Sequence, residues 1–148
     1  MLVDPGDFTP AALAAIAPTC VEGCAPGSVE LVGGQVVYPH RADLFDRWYW
    51  RCGCGAYCGV HPTLKPLGRP AGPETRRARE AAHAAFDPMW RKRAEISGVK
   101  AHVARGRGYK WLAEQLGFDR KDCHIAEMDA ATARRVVHAC QRVKIASC

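Results

Sequence analysis

No stretch of the chain approaches the roughly 18 consecutive apolar residues of a membrane-spanning helix. The opening MLVDPGDFTP lacks the basic stretch followed by an apolar one that marks a secretory leader. These two absences lead us to expect a cytoplasmic protein with no membrane partner. Internal repeats and low-complexity segments are absent, apart from an IASC end expected to fray, with Cys148 as a free thiol. Acidic clusters of the kind that hold catalytic divalent ions are missing too, which leans against an enzyme. Aromatic residues make up only 8% of the 148 residues, but apolar residues reach 48%, enough for a modest core.

Cysteine is not scarce: there are eight, and four fall in two tight pairs, Cys20-Val-Glu-Gly-Cys24 and Cys52-Gly-Cys54. Close pairing without a leader argues for metal binding in a reducing compartment rather than for a disulfide scaffold. Zinc takes four thiolate or imidazole ligands, and a small β-unit with little core gains folding energy from it. Cys20, Cys24, Cys52 and Cys54 are therefore the expected ligands of one structural zinc ion. A Cys-x-Cys pair reaches one metal only through a sharp turn, which Gly53 is expected to permit. Cys54 with Cys58, or a His61 imidazole in place of one thiolate, would also satisfy the ion.

Charge divides unevenly along the chain. Residues 1–62 carry three Arg against six Asp and Glu, whereas residues 63–148 carry 18 Lys and Arg against nine acids. A polyanion would meet the second half, because phosphates are bound by Lys and Arg through counterion release. The plainer reading is that the basic balance serves solubility.

The pattern predicts an α+β fold: residues 1–62 as an N-terminal helix and a zinc-ribbon-like β-unit of two hairpins, and residues 63–148 as a basic helical half packed on it. Thr9 before Pro10 caps a helix that continues to Pro18. SVELV and QVVYP flank Gly33-Gly34, which predicts a first hairpin, and Trp48–Arg51 with Ala56–Val60 predicts a second one bearing the Cys52-Cys54 knuckle. HPTLKPLGRPAGP reads as a connecting loop. Pro73 opens a helix expected to break at Asp87-Pro88 and restart through MWRKRAE. GYKWLAEQLG reads as an amphipathic helix stopped by Gly117, with Trp111, Leu112 and Leu116 inward, and Asp129 caps a last helix to about Val143.

The run GAYCGVHPTLKPLGRPAGPETRRAREAAHAAFDPMW, with GYKWLAEQLG and CHIAEMDAATARRVVHAC, resembles the zinc-finger-containing domain of unknown function found mostly in phage and prophage proteins. The resemblance spans roughly residues 18 to 142. Its marks are Gly55-Ala56-Tyr57, His61-Pro62, Pro66-Leu67-Gly68, Arg79, His83, Phe86-Asp87-Pro88 and Trp90. It implies zinc binding and a viral or mobile-element setting, with no settled activity. The chain departs from the usual ribbon by spacing its pairs x3 and x1 instead of x2, and by placing Cys58 in a strand, which keeps the fourth ligand open.

Basic residues group as Arg76 and Arg77 with Arg79; Arg91, Lys92 and Arg93; Arg105, Arg107 and Lys110; and Arg134 with Arg135. Gly106 and Gly108 suggest a flexible basic start to the Trp111 helix, whose N-terminus would favour a phosphate. The plainer reading is solvated helix faces paired with Glu74, Glu80, Glu95 and Glu114. His83 and Asp87 stand four apart on one face, which suits a hydrogen bond locking the helix bend better than a catalytic pair. Cys123-His124 and His138 with Cys140 do not suit a second metal, since residues two apart on a helix diverge by about 200°.

Three functions remain. One is a phage-type regulator or host-takeover factor that binds nucleic acid through the helical half. The second is an adaptor or inhibitor of a host protein, docking through exposed Trp48, Tyr49 and Trp50. The third is a metal-dependent nuclease using His61 and His83.

Overall fold

The computed structural model describes residues 3–146, so Cys148 lies outside it. The chain divides into two compact units at Pro73/Glu74. The Pro- and Gly-rich segment before that point therefore belongs with the β-unit. Bridges between Tyr57 and Ala71 and between Val60 and Pro66 stitch it to the sheet.

In the first unit, Thr9 caps helix α1 (Pro10–Ile16), its side chain accepting from the Ala12 amide. Strands β1 (Val29–Gly33), β2 (Trp48–Cys52) and β3 (Tyr57–Gly59) form an antiparallel sheet in that order. Val29 lies opposite Cys52, and Trp50 lies between Leu31 on one side and Cys58 on the other. Trp50 is 2% exposed, and its indole Nε1 donates to the Leu64 carbonyl at 2.9 Å. The expected aromatic docking surface thus loses its central residue to the core, because alternation along β2 turns Trp50 and Cys52 inward together. The opposite face carries Tyr49 and Tyr57. Both pack edge-on to Tyr38 with ring centroids 5.6 and 5.5 Å away, and the Tyr38 and Tyr57 hydroxyls are hydrogen-bonded at 2.6 Å.

The first expected hairpin does not form. Residues 34–37 make a single helical turn, α2 (Gly34–Val37), and β1 pairs instead with β2. Gly33 and Gly34 are not there for positive φ. Gly34 is buried, its amide donates to the Arg47 carbonyl at 2.8 Å, and a Cβ on it would stand 1.7 Å from the Leu44 carbonyl oxygen. The glycine serves close backbone approach, a use that the dipeptide shares with hairpin turns at the level of sequence.

In the second unit, helices α3 (Pro73–Ser97), α4 (Ala101–Leu116) and α5 (Ala130–Ala146) surround one core. Thr75, Ala78, Ala82 and Phe86 form the buried stripe of α3, and Ala133, Val136, Ala139 and Cys140 form that of α5. Phe86 meets Tyr109 of α4 with ring centroids 4.8 Å apart. Trp111 is half-buried while Leu112 and Leu116 are buried, and Gly117 ends the helix at φ 75°. Asp129 Oδ1 accepts from the Thr132 amide at the start of α5, as expected.

Two helix boundaries differ from expectation. α3 runs through Asp87-Pro88 without a restart. Proline at 88 removes the bond to the Ala84 carbonyl, but both residues are exposed, a setting in which solvent can take the place of the lost donor. Asp87 is not a cap: its carboxylate accepts from Trp90 Nε1 at 3.0 Å. α4 begins at Ala101, so Gly106 and Gly108 lie inside it, and Arg105, Arg107 and Lys110 follow its first turn instead of leading into it. Gly108 is needed for packing, since a Cβ there would press on Phe86 and Trp90 at 3.1 and 3.2 Å.

Gly34→Ala is expected to cost the fold about 2 kcal/mol or more through overpacking against backbone, read as a fall of several degrees in melting temperature. An unchanged melting temperature would show that the helical turn ending at Leu44 yields freely.

Candidate metal centre and basic surface

The four paired cysteines converge. Their sulfurs all lie within 4.8 Å of one another, and Cys20 Sγ stands 3.8 Å from Cys54 Sγ. A zinc–sulfur bond of about 2.3 Å sets a tetrahedral sulfur–sulfur edge of about 3.8 Å, so the cluster needs little adjustment to hold the ion. Cys58 and His61 are not part of it. Cys58 sits in β3 with its thiol 3.7 Å from the Gly68 carbonyl, and His61 is exposed.

Local backbone explains the convergence. Cys52 ends β2, its amide donates to the Ala56 carbonyl at 2.8 Å, and Gly55 takes φ +96° to close the turn. The permissive glycine of this knuckle is therefore Gly55, while Gly53 keeps an ordinary φ. In the other knuckle Gly23 takes φ +84°. That segment is held by residues the sequence reading passed over. Arg69 donates to the Thr19 and Cys20 carbonyls at 3.1 and 3.2 Å, the Val21 amide donates to Pro70 at 3.0 Å, and the Glu22 carboxylate accepts from the Gly72 amide at 3.0 Å. The signal available was Arg69 standing beside prolines in a stretch otherwise poor in charge.

Electrostatics distinguish the four thiols. Hydrogen bonds with Cys52, Cys54 and Cys20 push Cys24 up to about 12. Burial raises Cys20. At Cys52, burial would raise the thiol, but the Cys54 amide, the Ser28 hydroxyl and the Cys24 thiol together hold it down to about 6. One thiolate is thus stabilised by its neighbours, and a divalent cation is what would let all four ionise together.

The zinc-finger-containing domain family matches residues 17–143. The chain belongs to this family. No curated protein and no solved structure matches it. Zinc-finger membership and the four-sulfur cluster are together consistent with one structural zinc ion.

The remaining candidates scatter. His83 Nδ1 lies 3.3 Å from the Asp87 carboxylate, inside a network that also holds Trp90. Cys123 and Cys140 are fully buried, with burial pushing both thiols up, while His138 is exposed. Several cations are structural. Arg79 donates to the Met128 carbonyl at 2.7 Å, Arg135 to the Leu116 carbonyl at the end of α4 at 2.8 Å, and Arg134 pairs with Glu74. Arg76 is half-buried and Arg77 exposed near the start of α3.

The other candidates lie on the second half of α3 and on α4. Arg91, Lys92, Arg93, Arg105, Arg107 and Lys110 are all exposed. Arg105 turns its guanidinium over the Tyr109 ring at 5.5 Å, whereas Arg107, two residues on, lines a cavity together with Arg93. This cavity of about 400 Å³ is lined also by Phe86, Met89, Trp90 and Trp111.

Removing the metal with a chelator should melt the strand signal of the first unit and lower its melting temperature; an unchanged circular dichroism spectrum would contradict a structural ion. Zinc retention should also depend on pH. Cys20 and Cys24, whose thiols are raised, hold protons at neutral pH that zinc must displace, and Cys52 adds a competing proton below about 6. Affinity should therefore fall as pH falls, and fall more steeply below about 6, as read with a chromogenic zinc indicator. A flat profile from pH about 8 to 5 would count against thiolate ligation.

Proposed function

We propose that this zinc-stabilised domain is a phage-type accessory protein, a regulator or host-takeover factor, that binds nucleic acid through its helical unit. The observation that carries the reading is that exposed Arg93 and Arg107 line the same cavity. Arg91 and Lys92 precede Arg93 on α3, and Lys110 follows Arg107 by about one turn on α4. The unit as a whole carries 16 Lys and Arg against nine acids, net +7. Arg79, Arg134 and Arg135 are committed to carbonyls or to Glu74, and Arg91 lies 4.0 Å from the Asp87 carboxylate, whereas Arg93 and Arg107 are exposed at the cavity.

Phosphate contacts of this kind position a nucleic acid without reading its bases. Zinc takes no part in the contact: its role is to fold the first unit, which carries five Lys and Arg against six acids up to Pro73.

Arg93→Ala and Arg107→Ala should each weaken binding to nucleic acid of any sequence and reduce the slope of log affinity against log salt by about 1. Arg105→Ala should do less, its guanidinium being engaged with Tyr109. Mobility shifts at two salt concentrations check this. Absence of any low-salt shift would leave the charge to solubility.

A further inference from the structure

Charge alone would be served by a flat basic face, yet the two arginines border a recess with an aromatic lining. We infer that this recess is a seat for an unstacked base of a single-stranded nucleic acid, with Arg93 and Arg107 holding the adjoining phosphates. The inference rests on the nucleic-acid reading above and specifies which form of nucleic acid the site takes.

Three features point to it. Trp90 and Trp111 are half-buried and line the recess, giving aromatic surface of the kind on which bases stack regardless of sequence. Trp90 is fixed in place, its Nε1 donating to Asp87 at 3.0 Å and the Arg91 guanidinium lying 5.2 Å over its ring. The volume, about 400 Å³, falls in the range of small-molecule pockets, roughly 300–1,000 Å³, room enough for a single base.

Charge complementarity completes the case. Among the described residues the lining includes two guanidiniums and no carboxylate, and the adjacent Asp87 carboxylate is taken up by Trp90 Nε1, so the recess favours an anion. Bases in a duplex are stacked and paired and cannot enter such a recess without extrusion, whereas those of a single strand present their faces freely.

The test uses the zinc-loaded full chain and fluorescence anisotropy with three probes: an oligothymidylate of about 20 nucleotides, a duplex of equal length, and free thymidine monophosphate as competitor. The single strand should bind at least about tenfold more tightly than the duplex, and Trp111→Leu should weaken the single strand roughly 5- to 150-fold while leaving duplex affinity within about twofold. Because Trp111 also packs against the core, a second measurement uses the unaltered protein: photocrosslinking to an iodouracil-substituted oligonucleotide should map to Trp90 or Trp111. Equal binding of single strand and duplex, insensitive to Trp111→Leu, would overturn the base seat while leaving the basic surface in place. Crosslinks confined to residues outside the recess would overturn it as well, and so would competition by the free nucleotide at the affinity of the strand. Failure to bind either polymer would remove both this inference and the reading on which it rests.

Discussion

The convergence of four sulfurs to within 4.8 Å ties the 20–24 loop to the tip of the β2–β3 turn, and the first unit is organised around that tie. Few large side chains are fully buried there, chiefly Trp50 and Leu64, and the smaller cluster beside the cysteines consists of Cys20, Cys52 and Ala56. Burying a large apolar side chain contributes about 1.5–3 kcal/mol, against about 1–2 kcal/mol of lost backbone entropy for every ordered residue. Two such side chains do not order some seventy residues. A structural zinc contributes about 10–16 kcal/mol in small finger peptides, which makes the metal the largest single term available to this unit. The Arg69, Pro70 and Gly72 contacts then matter because they hold the first knuckle where its sulfurs can reach the second.

The helical unit is stabilised by different means. Its apolar stripes close around Phe86, Leu112, Ile125 and Val136, and its arginines divide between two tasks. Arg79 and Arg135 satisfy main-chain carbonyls that would otherwise go unpaired, at the Met128 turn and at the end of α4. Arg93 and Arg107 remain exposed beside aromatic rings. Net charge alone would not separate these roles. What separates them is whether the guanidinium is taken up by a carbonyl, as in Arg79 and Arg135, or by a carboxylate, as in Arg134.

Much of this was legible in the sequence because it depends on local chemistry. Cysteine spacing identified the sulfur cluster, Thr9 and Asp129 identified two helix starts, and Gly117 identified a helix stop. What was not legible depends on partners distant in sequence. Gly33-Gly34 has the composition of a turn, but the Leu44 carbonyl decides its use, and that contact is invisible in the dipeptide. Asp87-Pro88 has the composition of a helix start, yet the exposed position of Ala84 and Pro88 makes proline tolerable mid-helix and tertiary packing of Phe86 carries the helix through. Gly106 and Gly108 looked like a flexible lead-in until Phe86 and Trp90 were found to require the absence of a Cβ at 108. The same contact brings α3 and α4 together at the recess, so the cavity could not be foreseen from a reading that ended the helices at their glycines and prolines.

X-ray absorption at the zinc edge of the purified protein tests the central claim most directly. Four sulfur neighbours at about 2.3 Å around one zinc per chain is the expected result. A shell containing nitrogen or oxygen in place of a sulfur, or a protein that folds to the same β-unit with no metal bound, would contradict it.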